Sequence, residues 1–323
     1  MKGFEIISCG GSHPTHSVTN EDFAKRLDTS DEWITTRTGI KRRYFCDATL
    51  GESANALAIA SAKQALQRAK LKPEDIGCVV TATISGDYAT PSVSCVIQKE
   101  LQLREDIPVL DVNAACTGFL YALEVARGFL LTTGGTYGLV TGCEELSKLM
   151  DMEDRSTCVL FGDGAGSVIV KLDGNATYAS MLGARGDFAI TAPGPGSKQG
   201  HIQMNGKEVF RFAVAAIPKC IQALLEKTNR CLEDVDWVVC HQANARIIDH
   251  CVKKLKAPKE KFYENMDHFG NTSGASIPMA LNEMFEKGLL QAGAKMLLVG
   301  FGGGLTWGGI AVAFQGEEKE TKE

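Results

Sequence analysis

The feature that most constrains this 323-residue chain is a similarity between its two halves. Residues 65–85 and 224–244 each combine the end of a helical pattern, a short acidic turn and a buried apolar strand. Glu74 of the first turn matches Glu233 of the second, an offset of 159 residues. A further apolar run, which begins at Tyr137, has its match at the same offset. Two matches at one offset, close to half the chain length, indicate a duplicated unit.

Apolar strand-like runs alternate with helical patterns in both halves. Runs such as CVVTATI and WVVC are apolar along their whole length, which is typical of strands covered on both faces. Residues 53–69 and 117–134 carry apolar residues at helical spacing. We therefore predict an α/β protein with mixed sheets, whose two related halves, residues 1–172 and 173–323, stack as a five-layer αβαβα body.

The overall composition narrows the classes of function. The net charge of −5 gives no general attraction to nucleic acid, so an acidic partner has to be met by a local basic patch. No stretch approaches the apolar length of a bilayer span, and the opening residues resemble a strand rather than a signal peptide. We expect a cytoplasmic protein that binds neither membrane nor nucleic acid.

The cysteine pattern argues against a disulfide or zinc framework. The chain has 11 cysteines, an odd number, and none of them forms a C-x-x-C pair. Most lie in apolar runs, where a reduced thiol packs as a small hydrophobic side chain. We therefore expect reduced thiols, and no bound metal.

Cys116 stands out among these thiols by its position. It follows the strand-like run IPVLDVNAA and directly precedes a helical pattern, and its neighbours Ala114, Ala115, Thr117 and Gly118 are small. A thiol at a helix N-terminus faces unpaired N–H groups and the positive end of the helix dipole, which favours the thiolate. Cys116 is therefore a candidate nucleophile, with a buried packing role as the alternative.

Two further polar residues lie at turns between strands and helices. His241 ends the strand DWVVC, and Asn271 precedes a helical pattern that starts within residues 269–278. Catalytic groups of open α/β sheets gather at the carboxyl ends of strands. Taken singly, such a residue is more often a helix cap or a hydrogen-bonded core residue. Together with Cys116 they occupy comparable turns of a duplicated fold, where two half-sites can face each other.

A run of glycines follows another apolar strand. Residues 301–309, FGGGLTWGG, contain three consecutive glycines after the strand KMLLV. Such a turn can bring a backbone N–H close to a substrate oxygen, as an oxyanion hole requires. A tight turn without a ligand is the alternative.

Six motifs spread from end to end resemble the β-ketoacyl-[acyl-carrier-protein] synthase III family, the chain-initiating condensing enzymes of type II fatty acid synthesis. They are TSDEWITTRTGI (29–40), DVNAACTGFLYAL (111–123), FGDGAGS (161–167), HQANARII (241–248), FGNTSGASIP (269–278) and FGGGLTWG (301–308). The resemblance implies a thiolase-like fold of two related halves. It also implies an acyltransferase that needs no cofactor, with a coenzyme A (CoA) thioester as substrate.

The resemblance assigns the reaction centre residue by residue. It implies that Cys116 accepts the acyl group, and that His241 and Asn271 form the site where a malonyl group loses CO2. It further implies that the backbone N–H groups of Cys116 and Gly303 form the oxyanion hole.

The resemblance also assigns contacts to CoA. Trp33 and Arg37 correspond to the pair that holds the adenine, with Arg155 beside them, and a Trp–Arg pair suits this task because both groups stack on aromatic bases. Asn205 and Asn244 correspond to polar contacts along the pantetheine arm. Without the family, Trp33 is predicted to be a core residue.

Four basic residues correspond to the family's docking site for the acidic acyl carrier protein, namely Arg211, Arg246, Lys253 and Lys254. An ordinary solvated helix face is the alternative, especially for the two lysines. The partners implied are acyl-CoA, malonyl-acyl carrier protein and a second copy of the chain in a homodimer. Residues 83–92, with Tyr88, correspond to a region near the acyl pocket, and the acyl group itself is left open.

Three other functions remain open at this point. A related condensing enzyme would use the same residues to make quinolones, polyketide starters or esters. A cysteine hydrolase, which also pairs Cys with His and Asn, would release free acid from a thioester. A catalytically silent scaffold would not react at Cys116 at all.

Overall fold

The computed structural model describes residues 2–194 and 196–316. Within these ranges the strands are β1 (Gly3–Ser12), β2 (His16–Thr19), β3 (Arg42–Phe45), β4 (Ile76–Ala82), β5 (Val109–Val112), β6 (Tyr137–Glu144), β7 (Gly164–Asp173), β8 (Ala179–Ala184), β9 (Ile190–Thr191), β10 (Gln203–Met204), β11 (Trp237–Cys240), β12 (Phe262–Tyr263), β13 (Ala294–Gly302) and β14 (Thr306–Phe314). The helices are α1 (Asn20–Ala24), α2 (Asp31–Thr38), α3 (Ala54–Arg68), α4 (Val93–Glu100), α5 (Gly118–Thr133), α6 (Gly206–Thr228), α7 (Ala245–Leu255), α8 (Met266–Phe269) and α9 (Ser276–Glu286).

The main sheet contains the same strand arrangement twice. One set runs β5–β4–β6–β7–β1, and the other runs β12–β11–β13–β14–β8. In each set the first three strands pair in parallel and the next two pairings are antiparallel. The sets meet where Ile6 of β1 pairs with Phe314 of β14. The repeated order confirms the predicted duplication and the mixed sheets.

Helices and strand sets stack in five layers. Helices α3 and α4 cover the outer face of the first set, α6 and α7 cover the second, and α5 and α9 lie between them. Phe119 and Leu123 of α5 and Leu281 of α9 share one apolar cluster with Val80 and Leu298 of the two sets. Because burial of one leucine side chain contributes roughly 1.5–3 kcal/mol, this cluster holds the two halves together.

Each central helix begins directly after a short 3-10 turn. The turn Ala115–Thr117 precedes α5, and the turn Ser273–Ala275 precedes α9. The first residues of the two turns, Ala115 and Ser273, have φ angles of 46° and 48°. This left-handed conformation costs a residue other than glycine about 1–3 kcal/mol and is concentrated at functional sites. The same strained turn occurs in both halves, so we look for the functional site where the two central helices begin.

The cysteines agree with the expectation of reduced thiols. All 11 lie in the described ranges and are free. Most are buried, whereas Cys231 is exposed and Cys116 is partly exposed. None of the helices described between residues 2 and 316 combines the length and apolar character that a bilayer span requires.

Candidate active site

A cavity of about 220 Å³ brings together the three polar residues singled out in the sequence, Cys116, His241 and Asn271. Cys116 lies in the turn before α5, Asn271 lies two residues before the turn that precedes α9, and His241 directly follows β11. The apolar part of the wall includes Ile84, Leu146, Phe161, Ile190, Ile202, Met204, Val209, Phe210 and Phe301. The cavity is therefore mostly apolar, with a few polar groups at one place, as a site for an acyl chain and its reactive carbonyl requires.

The Cys116 turn is held against the glycine run. Gly302 lies so close that a Cβ atom there would stand 2.8 Å from the Cys116 backbone N. The hydroxyl groups of Thr117 and Thr306 hydrogen-bond at 2.7 Å. Gly303, which was predicted to supply an oxyanion N–H, lines the same cavity. The structure thus brings the Cys116 and Gly303 backbones together.

The charge state of Cys116 differs from the sequence-based expectation. Cys116 is partly open to the cavity, but the protein atoms packed around its sulfur remove most of the water that would solvate a thiolate, which raises the pKa of the thiol to about 12, and the nearby Glu144 carboxyl adds to the rise. Loss of solvation for the thiolate therefore outweighs the stabilising field of the helix N-terminus. At neutral pH the residue is a thiol, and it has to lose a proton when it attacks.

His241 is buried and neutral. Only 2% of its surface is exposed, and burial lowers its pKa to about 3. Its Nδ1 atom lies 2.7 Å from Ser276 Oγ, which also accepts a hydrogen bond from the Gln242 N–H at 3.3 Å. A hydroxyl group that accepts one bond can still donate its own proton, and when Ser276 donates to Nδ1 the histidine proton lies on Nε2. The tautomer with Nε2–H is the one that donates a hydrogen bond into the cavity.

Asn271 is oriented by its own turn. Its Oδ1 atom accepts a hydrogen bond from the Ser273 N–H at 2.9 Å, and its backbone N–H donates to Leu160 O at 2.9 Å. The side-chain oxygen is thereby occupied, so the amide NH2 group is the part of Asn271 that is available to a bound ligand. Like His241, Asn271 can act as a donor.

The predicted adenine contacts cluster around Trp33 of α2, with Arg37 from the same helix and Arg155 from the loop before β7. The guanidinium groups of Arg37 and Arg155 lie 4.6 Å and 5.4 Å from the Trp33 ring centroid. Asn244, which lines the cavity, donates a hydrogen bond to Arg37 O at 2.9 Å and caps α7. Asn205 is exposed and caps α6. The Trp33 cluster is therefore tied to the cavity mouth through Asn244.

The four predicted carrier-protein contacts are all exposed but fall into two groups. Arg246 stacks over Phe210, at 5.4 Å from its ring centroid, and Phe210 lines the cavity. Arg211 follows Phe210 directly on α6. Lys253 and Lys254 lie in the last turn of α7, further from the cavity. Tyr88, noted in the sequence, is 60% exposed and does not line the cavity, whereas Ile84 from the same segment does.

Several residues beside Cys116 and His241 were not singled out by the sequence analysis. They are Ser276 beside His241, Gly302 behind Cys116, and the buried pair Glu144 and Ser273. Ser273 and Ser276 lie in the FGNTSGASIP motif and Gly302 in the glycine run, so their segments had been identified but their roles had not. Glu144 is followed by a second glutamate, and nothing local indicates which of the two points inward.

Comparisons with known proteins agree with this geometry. The family model described as 3-Oxoacyl-[acyl-carrier-protein (ACP)] synthase III matches residues 110–186, and the model of the same family's C-terminal part matches residues 225–314. The β-ketoacyl-[acyl-carrier-protein] synthase III of Clostridium acetobutylicum is 44% identical, over 97% of this chain and 99% of that protein.

Solved structures give the same result. The 3-oxoacyl-[acyl-carrier-protein] synthase III of Aquifex aeolicus superposes with a TM-score of 0.90 at 40% identity, covering 97% of this chain and 100% of the other. The priming β-ketosynthase of the R1128 polyketide pathway also superposes with a TM-score of 0.90, at 31% identity, covering 97% of this chain and 96% of the other.

The repeated strand sets, with a cysteine, a histidine and an asparagine around one cavity, define a thiolase-like condensing enzyme. Within that class, the chain belongs to the β-ketoacyl-[acyl-carrier-protein] synthase III family of acyltransferases.

Proposed function

We propose that this chain initiates type II fatty acid synthesis by joining an acyl-CoA to malonyl-acyl carrier protein. The products are a β-ketoacyl-acyl carrier protein, CoA and CO2. The observation that carries the proposal is the convergence of Cys116, His241 and Asn271 on one apolar cavity in a chain of this family.

The first half-reaction acylates the enzyme. The Cys116 sulfur attacks the thioester carbonyl, and the backbone N–H groups of Cys116 and Gly303 stabilise the oxyanion that forms. Collapse of the intermediate breaks the bond between the carbonyl carbon and the CoA sulfur. CoA leaves, and the acyl group remains on Cys116.

The second half-reaction forms the carbon–carbon bond. His241 Nε2–H and the Asn271 amide donate hydrogen bonds to the thioester oxygen of the malonyl group, so that loss of CO2 leaves an enolate. The α-carbon of the enolate attacks the acyl-Cys116 carbonyl, and the sulfur of Cys116 is the leaving group. A neutral histidine suits this role, because it can donate from Nε2 without transferring a full charge to the site.

The remaining assignments follow from the family and the positions of the residues. Trp33, Arg37 and Arg155 hold the adenine of CoA, Asn244 and Asn205 contact the pantetheine arm, and the four basic residues on α6 and α7 receive the carrier protein. We further propose a homodimer, a cytoplasmic location and the division into halves at residues 1–172 and 173–323.

Peptide mapping after exposure to acyl-CoA tests the proposal. The protein is incubated with acetyl-CoA and with longer or branched acyl-CoAs, and the modified peptide is identified by mass spectrometry. We expect acylation at Cys116 with at least one of them, and none in a Cys116→Ala variant. Acylation at another residue, or at no residue with any acyl-CoA, would rule the proposal out.

A priming condensing enzyme of polyketide synthesis is the second candidate, because one such structure superposes as well as the fatty acid enzymes do. The two differ in the substrates and products of the condensation. We therefore compare malonyl-acyl carrier protein with malonyl-CoA as extender and identify the released product. A preference for the carrier protein with a single extension supports fatty acid initiation, and release of a cyclised or repeatedly extended product supports the alternative.

A further inference from the structure

Glu144 is a buried carboxyl group beside the reaction centre to which the mechanism above gives no role. It is the last residue of β6 and has no exposed surface. Its Oε2 atom accepts hydrogen bonds from Ser85 Oγ at 2.5 Å and from the Ile84 N–H at 3.2 Å. One carboxylate oxygen therefore holds the loop that follows β4.

The other oxygen, Oε1, faces the two catalytic turns. A Cβ atom on Gly274 would stand 3.5 Å from Glu144 Oε1 and 3.3 Å from Ala115 O, so the carboxylate lies at the junction between the Cys116 turn and the Ser273 turn. Oε1 is buried and makes no hydrogen bond of full geometry in the described part of the chain, although the Ser273 hydroxyl group and the Gly274 N–H lie near enough to lower the pKa of this carboxyl. A buried carboxylate oxygen without a full hydrogen bond is costly, so its presence beside the two turns calls for an explanation.

Ser273 occupies the same junction. It lines the cavity with Cys116, holds a left-handed φ of 48°, and its buried Oγ has no hydrogen-bond partner among the described residues. Its hydroxyl group is nevertheless close enough to lower the pKa of both the Cys116 thiol and the Glu144 carboxyl. Neither contact reaches the geometry of a full hydrogen bond, and catalytic hydrogen bonds often tighten only when the substrate is bound.

We propose that Glu144 receives the proton of Cys116 through the Ser273 hydroxyl group when the enzyme is acylated. This inference rests on the proposed function. Glu144 does not touch the substrate and acts only through Ser273.

The proton transfers balance over the half-reaction. As the bond between Cys116 Sγ and the acyl carbon forms, the thiol proton passes to Ser273 Oγ, and the Ser273 proton passes to Glu144 Oε1. When the bond to the CoA sulfur breaks, that sulfur keeps the electron pair and takes back a proton along the same path. No external acid, base or oxidant is needed.

The alternative acceptor, His241, is less basic. Burial lowers the pKa of His241 to about 3, whereas burial raises the pKa of Glu144 to about 7. A base is most effective when its pKa lies near the working pH. The titratable groups that face Glu144 are the thiols of Cys116 and Cys143, and no lysine or arginine pairs with it in the described ranges. Glu144 is ionised above its pKa, so acylation should accelerate as pH rises through about 7.

Two variants separate this role from a structural one. In Glu144→Gln the side chain keeps its size, and its oxygen can still accept from Ser85 and Ile84. In Ser273→Ala the backbone N–H that orients Asn271 is retained. Asp163→Asn is the matched control, because Asp163 is an equally buried carboxyl that accepts from the Ser147 and Cys46 N–H groups and does not line the cavity.

The readout is single-turnover acylation of Cys116 at saturating acyl-CoA, measured by quenched mass spectrometry between pH 5.5 and pH 9. We expect Glu144→Gln and Ser273→Ala to acylate about 100-fold more slowly than the parent and without its rise near pH 7. Asp163→Asn should keep the parent profile.

Acylation within about threefold of the parent, with an unchanged pH profile in both variants, would overturn the proposal. Circular dichroism and thermal unfolding establish that each variant is folded, and if Glu144→Gln does not fold, Ser273→Ala alone decides. Failure of the proposed function would give another result, because the parent protein itself would then show no acylation at Cys116.

Discussion

Gly302 lies directly against Cys116: a Cβ atom at Gly302 would stand 2.8 Å from the Cys116 backbone N and 2.9 Å from its Cβ. Real Cβ atoms do not approach backbone atoms so closely, so any side chain at this position has to displace the Cys116 turn. The placement of the Cys116 turn therefore requires a glycine at position 302.

We expect Gly302→Ala to lower the rate of Cys116 acylation by roughly 100-fold or more, because it shifts the Cys116 N–H that we propose as an oxyanion-hole donor. The free energy of unfolding should fall by about 1–3 kcal/mol as a result of overpacking. The control is Gly128→Ala within α5, where a Cβ atom meets nothing within 4 Å and should stabilise the helix by roughly 0.5–1 kcal/mol. Normal acylation in Gly302→Ala would show that the turn tolerates displacement.

Ser276→Ala should impair condensation while leaving acylation intact. Without the hydroxyl group, Nδ1 of His241 has no donor, and the proton is no longer confined to Nε2. We expect condensation from pre-acylated enzyme to slow by roughly 10- to 100-fold, less than the deletion of a donor outright. The acylation rate of the same variant serves as its internal control, and equal losses in both half-reactions would indicate a general structural defect instead.

Trp33→Ala should weaken the binding of acyl-CoA without changing the chemical step. Stacking of a base on an aromatic ring contributes about 1–3 kcal/mol, so KM for acyl-CoA should rise roughly 10-fold or more at nearly constant kcat. An acyl-pantetheine thioester, which lacks the nucleotide, is the matched control and should be used equally well by the variant and the parent. An unchanged KM for acyl-CoA would place the nucleotide elsewhere.

His268 should make the free energy of unfolding fall as the pH becomes alkaline. Hydrogen bonds from the ring to Asp267 at 2.8 Å and to Glu283 at 3.1 Å raise its pKa to about 9. The stabilisation is fully present below the unfolded pKa of about 6.5 and is lost as pH rises through about 9. Relative to His268→Gln, the parent should be more stable by about 2 kcal/mol at pH 6 and by much less near pH 10.

Urea unfolding at these two pH values measures the difference. His250→Gln, which removes an exposed histidine of α7, is the control and should show no such trend. A difference between His268→Gln and the parent that is the same at both pH values would mean that packing, not charge, is lost.

The sequence was sufficient to predict the fold and the meeting of three polar residues at one cavity, because both follow from patterns that repeat along the chain. The 159-residue offset predicts the second strand set, and the ends of strands predict where Cys116, His241 and Asn271 meet. The charge state of Cys116 was predicted wrongly, since the helix start is visible in the sequence but the apolar surroundings that raise its pKa are assembled from both halves.

The roles of Glu144 and Ser276 could not be predicted from the sequence, for a related reason. Glu144 and Glu145 are adjacent and chemically alike, and only the packing of the second half against β6 buries Glu144 completely. Ser276 likewise becomes a partner of His241 only when α9 is brought beside the end of β11. Contacts of this kind join residues that are far apart in the chain, so no local sequence pattern predicts them.

The most direct test of the condensing mechanism follows the acyl group itself. The protein is acylated at Cys116 with a labelled acyl-CoA, freed of unreacted thioester and mixed with malonyl-acyl carrier protein. We expect the label to leave Cys116 and appear in a β-ketoacyl-acyl carrier protein, with one CO2 released for each acyl group transferred. Release of the label as free acid, or its retention on Cys116 while the malonyl group is consumed, would contradict the mechanism.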